Sequence, residues 1–275
     1  MTAITIILTI ISFILIGDIV LLIFGIVRKL RHKKLLSFSK SLIVIFGAGA
    51  VSAAAAYLFV TLVYYRAEPS ALSYLESGEK VTVTREESTY FFDGPGEDKA
   101  LIFYPGSLVE QEAYAEIMYR LAENGIDTFL ADMPFHIALF GVDTGNKIIA
   151  SHTYDKWYMS GHSLGGVAAA EYCLETENDI DGLVLLASYP YSEIDKNIPV
   201  CTIFGTEDRV MSQKKYEESK GFFADRVYEY FIEGGNHAQF GSYGEQNGDG
   251  KATITPEEQK RIAADEILKF VNDSE

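Results

Sequence analysis

The stretch from Trp157 to Leu174 limits what this chain can fold into more than any other. Four strand-forming residues, Trp157 to Ser160, run directly into Gly161-His162-Ser163-Leu164-Gly165-Gly166 and then into a run of helix formers. A strand that becomes a helix across so short a turn needs a sharp, strained reversal at its centre, and the pattern G-x-S-x-G supplies one. The serine takes the strained backbone position. Its neighbours two before and two after must therefore lack bulky side chains, and both are glycine. Such a turn lifts the Ser163 hydroxyl above the sheet and aims the following helix N-terminus at it, so Ser163 is the candidate nucleophile.

The sequence around this unit repeats the same alternation from residue 66 onward. Val81–Thr84 and Thr89–Phe92 alternate like antiparallel strands with one exposed face. Residues 100–104 (ALIFY) form a short solid apolar run of the kind a doubly covered strand shows. A helical stretch, 110–123, follows and ends at Asn124-Gly125. Further strands are expected at 128–131, 157–160, 183–187, 200–204 and 227–232. A mixed helix precedes His152, another lies near 165–174, and an amphipathic helix at 256–271 opens with proline and two acids. Strands that alternate with helices imply a mostly parallel, doubly wound α/β sheet with helices on both faces.

A serine hydroxyl is a weak nucleophile and needs a base. On a turn of this kind the partners follow the serine in the order acid, then histidine. Only one histidine lies beyond Ser163, namely His237, on the glycine-rich loop Gly234-Gly235-Asn236-His237 after the last strand. The acid belongs at the end of a strand between them, and Asp208 lies there; the adjacent Glu207 is not separated from it by spacing. In this arrangement His237 takes and returns the serine proton while Asp208 fixes its tautomer. The oxyanion donors are expected to be the backbone N–H of Leu164 and a second one from the loop after the 100–104 strand, Ser107 first and Leu108 second. Asp132 and His136, beyond another strand end, are candidate substrate contacts.

The first 65 residues are of a different kind. Residues 4–27 are apolar except for Asp18, and 41–65 form a second apolar run. Each exceeds the roughly 20 residues that span a bilayer, so two transmembrane helices are expected. No basic residue precedes the first run, which argues against a cleaved signal peptide. Six basic residues crowd into 28–40, so that loop is expected in the cytoplasm and the large domain outside the cell membrane. Asp18 would cost about 2.5–3.5 kcal/mol at mid-membrane and is expected to face the other helix or a lipid-facing defect, the alternative being a functional intramembrane site.

Charge divides at the same place. Six of the 23 basic residues and one of the 39 acidic ones precede residue 66, so the leading part carries +5 and the remainder −21. A domain that acidic repels nucleic acid, which is excluded as a partner. The two cysteines, Cys173 and Cys201, sit in apolar stretches as buried free thiols and have no metal-ligand spacing. Asn247-Gly248-Asp249-Gly250 resembles part of a calcium loop. With Gly250 at its sixth position, however, the twelfth falls on Pro256 where a glutamate is needed, so no metal is expected. No cofactor fingerprint is present.

The segments YPG, DMPF, GHSLGG, GTED and GGNHAQFGSYGEQ, with GDG and EEQ after them, resemble a bacterial α/β-hydrolase family over roughly residues 80–272. The chain is similar more loosely to dienelactone hydrolases, which use a cysteine where this chain has Ser163. The resemblance implies an α/β-hydrolase fold, here preceded by a transmembrane hairpin. The expected activity is hydrolysis of a carboxylic ester or related acyl bond in a small-molecule or lipid-like substrate. A peptidase or acyltransferase with the same residues, and a non-catalytic tethered binding domain, are the alternatives. Residues 190–199 leave little room for an inserted lid, and the oligomeric state is open.

Overall fold

The computed structural model describes residues 62–195, 197–223 and 226–273, together with Gly25, Gly47, 49–52, Ala54 and Leu58. The expected membrane spans, Asp18 and the basic segment between the spans therefore lie almost wholly outside the described residues. Among the described residues, no helix is long and apolar enough to cross a membrane. The chain divides into two units, Met1–Tyr64 and Tyr65–Glu275. Tyr65, expected at the end of the second span, instead opens the second unit. It forms a parallel bridge with Val109, its N–H donating to the Leu108 carbonyl at 2.6 Å.

Eight strands build the second unit: β1 (Thr82–Glu86), β2 (Thr89–Asp93), β3 (Lys99–Tyr104), β4 (Asp127–Leu130), β5 (Lys156–His162), β6 (Gly182–Leu186), β7 (Val200–Gly205) and β8 (Val227–Ile232). They form one sheet in the order β1-β2-β4-β3-β5-β6-β7-β8. The first two are antiparallel and the rest parallel. Each strand lies within a residue or two of where the apolar pattern put it.

The helices that flank the sheet are α1 (Ala115–Glu123), α2 (Thr144–Ser151), α3 (Leu164–Glu175), α4 (Gln213–Ser219) and α5 (Pro256–Asp273). The 110–123 stretch is helical as expected, but its first turn, Gln111–Tyr114, is a tighter 3-10 turn. Helix α4 has no apolar stripe to announce it. It buries only Tyr216 and Ser219 and starts at Ser212, whose hydroxyl accepts the Lys215 N–H.

Two cores result, one on each face. Along β3 the side chains alternate: Leu101 and Phe103 join the core under α1 and α5, whereas Ala100, Ile102 and Tyr104 join the core under α3. Every one of these five is fully buried, as a strand covered on both faces requires. Each large apolar side chain buried this way contributes on the order of 1.5–3 kcal/mol. Helix α5 is also tied to α1 by a buried ion pair. Lys260 Nζ lies 2.5 Å from Glu116 Oε2 and donates to Ser242 Oγ at 2.6 Å. The pair's partners keep two buried charges from being left uncompensated.

Candidate active site

All parallel strands point their C-terminal ends at one edge, and the loops there bring the candidate residues together. The reversal between β5 and α3 is centred on Ser163, whose φ of 53° is in the left-handed region. The glycines around it are needed for space. A Cβ on Gly161 would lie 2.4 Å from the Gly165 carbonyl carbon, and one on Gly165 would lie 2.1 Å from the Tyr104 carbonyl oxygen. The elbow is pinned further: Ser163 N–H donates to the Leu186 carbonyl at 2.9 Å, and the Ser163 carbonyl accepts the Ser188 hydroxyl at 2.7 Å. Ser163 is half-buried, and Leu164 is the first residue of α3, so its N–H has no acceptor within the helix.

Of the two acids after β7, it is Asp208 that meets His237. Its Oδ2 lies 2.8 Å from His237 Nδ1, and both side chains are buried. Its other oxygen accepts the N–H groups of Val210 at 2.8 Å and Met211 at 2.9 Å. Burial alone would raise the Asp208 pKa. The opposing charge and hydrogen bond of His237 and these two amides overcome it and hold the carboxyl below its ordinary value. Glu207 points elsewhere, toward Arg209 at 3.6 Å. The β7 and β8 loops approach closely because a glycine on each allows it: a Cβ on Gly205 would lie 2.3 Å from the Gly235 carbonyl group.

His162, inside the elbow, is fully buried and stands between the groups already described. Its ring centroid is 4.6 Å from that of His237, and its Nε2 lies 3.1 Å from the His237 carbonyl. Because a carbonyl only accepts, Nε2 carries the proton. Nδ1 then accepts from the Tyr114 hydroxyl at 2.8 Å, and that hydroxyl in turn accepts the Gly106 N–H at 3.1 Å. Burial first, and the neighbouring His237 second, hold the His162 pKa well below the ordinary histidine range. One chain of hydrogen bonds thus links the loop after β3, the elbow and the histidine loop. Tyr114 carries no local signal of this role, since it lies in an ordinary amphipathic stretch.

The loop after β3 separates the two expected oxyanion donors. Leu108 has a φ of 56°, and its N–H is donated to the His136 carbonyl at 2.7 Å, so that amide is occupied. Ser107 is half-buried, and its N–H has no acceptor among the described residues. Asp132 and His136 are both half-buried on the segment that follows β4. His136 fastens that segment to the loop after β3 through its carbonyl. The same segment exposes Phe135, Leu139 and Phe140. The connection from β6 to β7 contains no helix among its described residues.

Behind the histidine loop lies a cleft of about 580 Å³, lined by Glu68, Asn236, Ala238, Gln239, Asp249 and Gly250 among others. None of Ser163, Asp208 and His237 lines it. Cys173 and Cys201 are free and buried; burial pushes the Cys173 thiol up to about 12, which leaves it unreactive. Among the described residues no group of His, Cys, Asp and Glu is arranged to hold a metal ion.

The model of the Alpha/beta hydrolase family matches residues 100–261. A comparison with curated proteins finds no match. Among solved structures the chain is similar to Est1E from Butyrivibrio proteoclasticus with ferulic acid bound, at 14% identity and a TM-score of 0.52, covering 70% of this chain and 96% of that one. TT1662 from Thermus thermophilus is similar at 13% identity and 0.51, over 69% and 98%. Alpha/beta hydrolase domain-containing protein 10 from mouse is similar at 12% identity and 0.51, over 71% and 99%. At these identities the likeness concerns the fold.

Proposed function

The chain belongs to the alpha/beta hydrolase family, and on that premise we propose that it is a serine hydrolase cleaving a carboxylic ester or related acyl bond. The observation that carries this is the 2.8 Å contact between Asp208 and His237 on loops beside the strained Ser163 elbow. With Nδ1–H donated to Asp208, the Nε2 lone pair of His237 is the base. Ser163 Oγ attacks the acyl carbonyl carbon as its proton passes to His237. The carbonyl oxygen takes up the negative charge opposite the N–H groups of Leu164 and Ser107. Collapse of that intermediate expels the alkoxide, which leaves with the proton from His237. Water, deprotonated by the same histidine, then releases the acid and restores Ser163.

The proposal extends to the leading residues: 4–27 and 41–64 anchor the enzyme in the cell membrane, with the catalytic unit outside. The two apolar runs and the basic residues between them support this reading. The testing experiment is labelling with a membrane-impermeant fluorophosphonate, on intact cells and after detergent, for wild type and Ser163→Ala. Labelling of wild type alone on intact cells is expected, together with hydrolysis of short acyl esters. Labelling only after lysis would refute the orientation, and none in either condition would refute the hydrolase.

A further inference from the structure

The Asn247–Gly250 segment fails as a calcium loop, and the structure gives it other work. Asp249 Oδ2 accepts the N–H of Ala238 at 2.8 Å, the residue directly after His237. Its Oδ1 accepts the N–H of Gly250 at 2.8 Å and that of Arg209, directly after Asp208, at 3.3 Å. One carboxylate therefore ties together the chain just past the acid and the chain just past the histidine. The neighbours complete the arrangement. A Cβ on Gly250 would lie 1.9 Å from the Glu207 carbonyl oxygen, so only glycine lets the segment seat against the acid loop. Asn236, directly before His237, donates from Nδ2 to the Gly250 carbonyl at 2.8 Å.

We propose that Asp249 is a positioning residue for the acid–histidine pair, a clip that sets the separation and alignment of Asp208 and His237. It touches neither the substrate nor the reacting atoms. Its carboxylate is met by three main-chain N–H groups, those of Ala238 and Gly250 at 2.8 Å and that of Arg209 at 3.3 Å. The inference rests on the hydrolase reading above, because a clip for an acid–base pair matters only if that pair moves protons.

The half-buried Asp249 also lines the 580 Å³ cleft, so a small carboxylate in solution can reach the position its side chain would vacate. This gives a test that a purely structural role would not pass. Wild type, Asp249→Ala, Asp249→Asn and Lys251→Ala, another residue lining the cleft, are compared on a short acyl ester, with and without sodium formate.

Asp249→Ala is expected to lower kcat about 10- to 100-fold with KM within about twofold, since a small misalignment costs that much. Formate, but not chloride, restores about tenfold of the loss, and Lys251→Ala behaves as wild type. Asp249→Asn keeps the shape but places an amide N–H against a main-chain N–H, so a smaller loss that formate does not repair is expected. It stands in should the alanine variant not fold. Wild-type kcat in both Asp249 variants, a change confined to KM, or a loss in the alanine variant that formate leaves in place would overturn the clip. An inert wild type would remove the hydrolase reading and the clip with it. An active wild type beside undiminished variants would remove the clip alone.

Discussion

The two sides of the Ser163 elbow place their left-handed backbone on different kinds of residue. On the β7–β8 side, side chains make the ties: Asp208 accepts the Val210 N–H, Asn236 donates to the Gly250 carbonyl, and Asp249 accepts the Ala238 N–H. Left-handed backbone there falls on glycines: Gly234, Gly244 and Gly248. On the β3–β4 side the Leu108 N–H donates to the His136 carbonyl and the Gly106 N–H to the Tyr114 hydroxyl, and three residues with side chains sit at positive φ: Leu108, Phe135 and His136. Each of those costs roughly 1–2 kcal/mol that the rest of the fold must supply. The side that would move protons thus keeps its left-handed backbone on glycines, whereas the side that would meet the substrate puts it on residues with side chains and exposes Phe135, Leu139 and Phe140. Proton transfer tolerates little misalignment. A substrate surface can be built from whatever backbone lets it face outward.

The largest test of this contrast is Asp208→Asn against Glu207→Gln. The first should lower kcat by about 10⁴-fold through the wrong histidine tautomer, and the second should change it little. Equal effects would mean the ties do not select one acid. Next, on the other side, Ser107→Pro removes an amide and should cost about 10²- to 10³-fold in kcat. Ser107→Ala, which keeps the amide, should behave as wild type, and matching losses would deny Ser107 the donor role.

A smaller effect is set by pH. His162 stays neutral in the folded protein well below the pKa of about 6.5 that an unfolded histidine has. Its contribution to stability is therefore complete above that pH. It is lost as pH falls from about 6.5 toward the depressed folded value, by up to about 1.4 kcal/mol per unit. Thermal melts of His162→Gln between pH 7 and 5 should show a flatter dependence than wild type; parallel curves would place the acid sensitivity elsewhere. The smallest effect concerns strain without function. Glu87, in the β1–β2 turn far along the sheet from the elbow, also sits at positive φ (54°). Glu87→Gly should raise stability by about 0.5–1 kcal/mol and leave the rate unchanged, so a change in rate would blur the distinction between the two kinds of strained residue.

Much of this was legible in the sequence because it is local. Solid apolar runs such as 100–104 mark covered strands, and the elbow glycines mark a turn whose sterics involve residues only a few positions apart. The chain order of serine, acid and histidine pointed to Asp208 and His237 for the same reason: each lies just beyond a strand end. What was hidden depends on contacts across the fold. Glu207 and Asp208 are equal by spacing, and only the direction of the loop separates them. The Leu108 amide could not be known to be occupied until His136 came within reach. The Tyr114–His162 bond joins residues 48 positions apart, and the Asp249 ties join loops whose approach depends on Gly205 and Gly235. Helix α4 was missed because a polar segment with one buried tyrosine has no periodicity to detect.

The bare connection between β6 and β7 bears on the fate of an acyl group held on Ser163. If that connection leaves Ser163 open to bulk solvent, the competition for such an intermediate is one of concentration. Water outnumbers any alcohol or amine acceptor by orders of magnitude, so transfer to another acceptor would require a binding place for that acceptor near the serine. The proposed chemistry therefore partitions toward release of the free acid, and the ratio of acid to transfer product in the presence of added alcohol measures how open the site is.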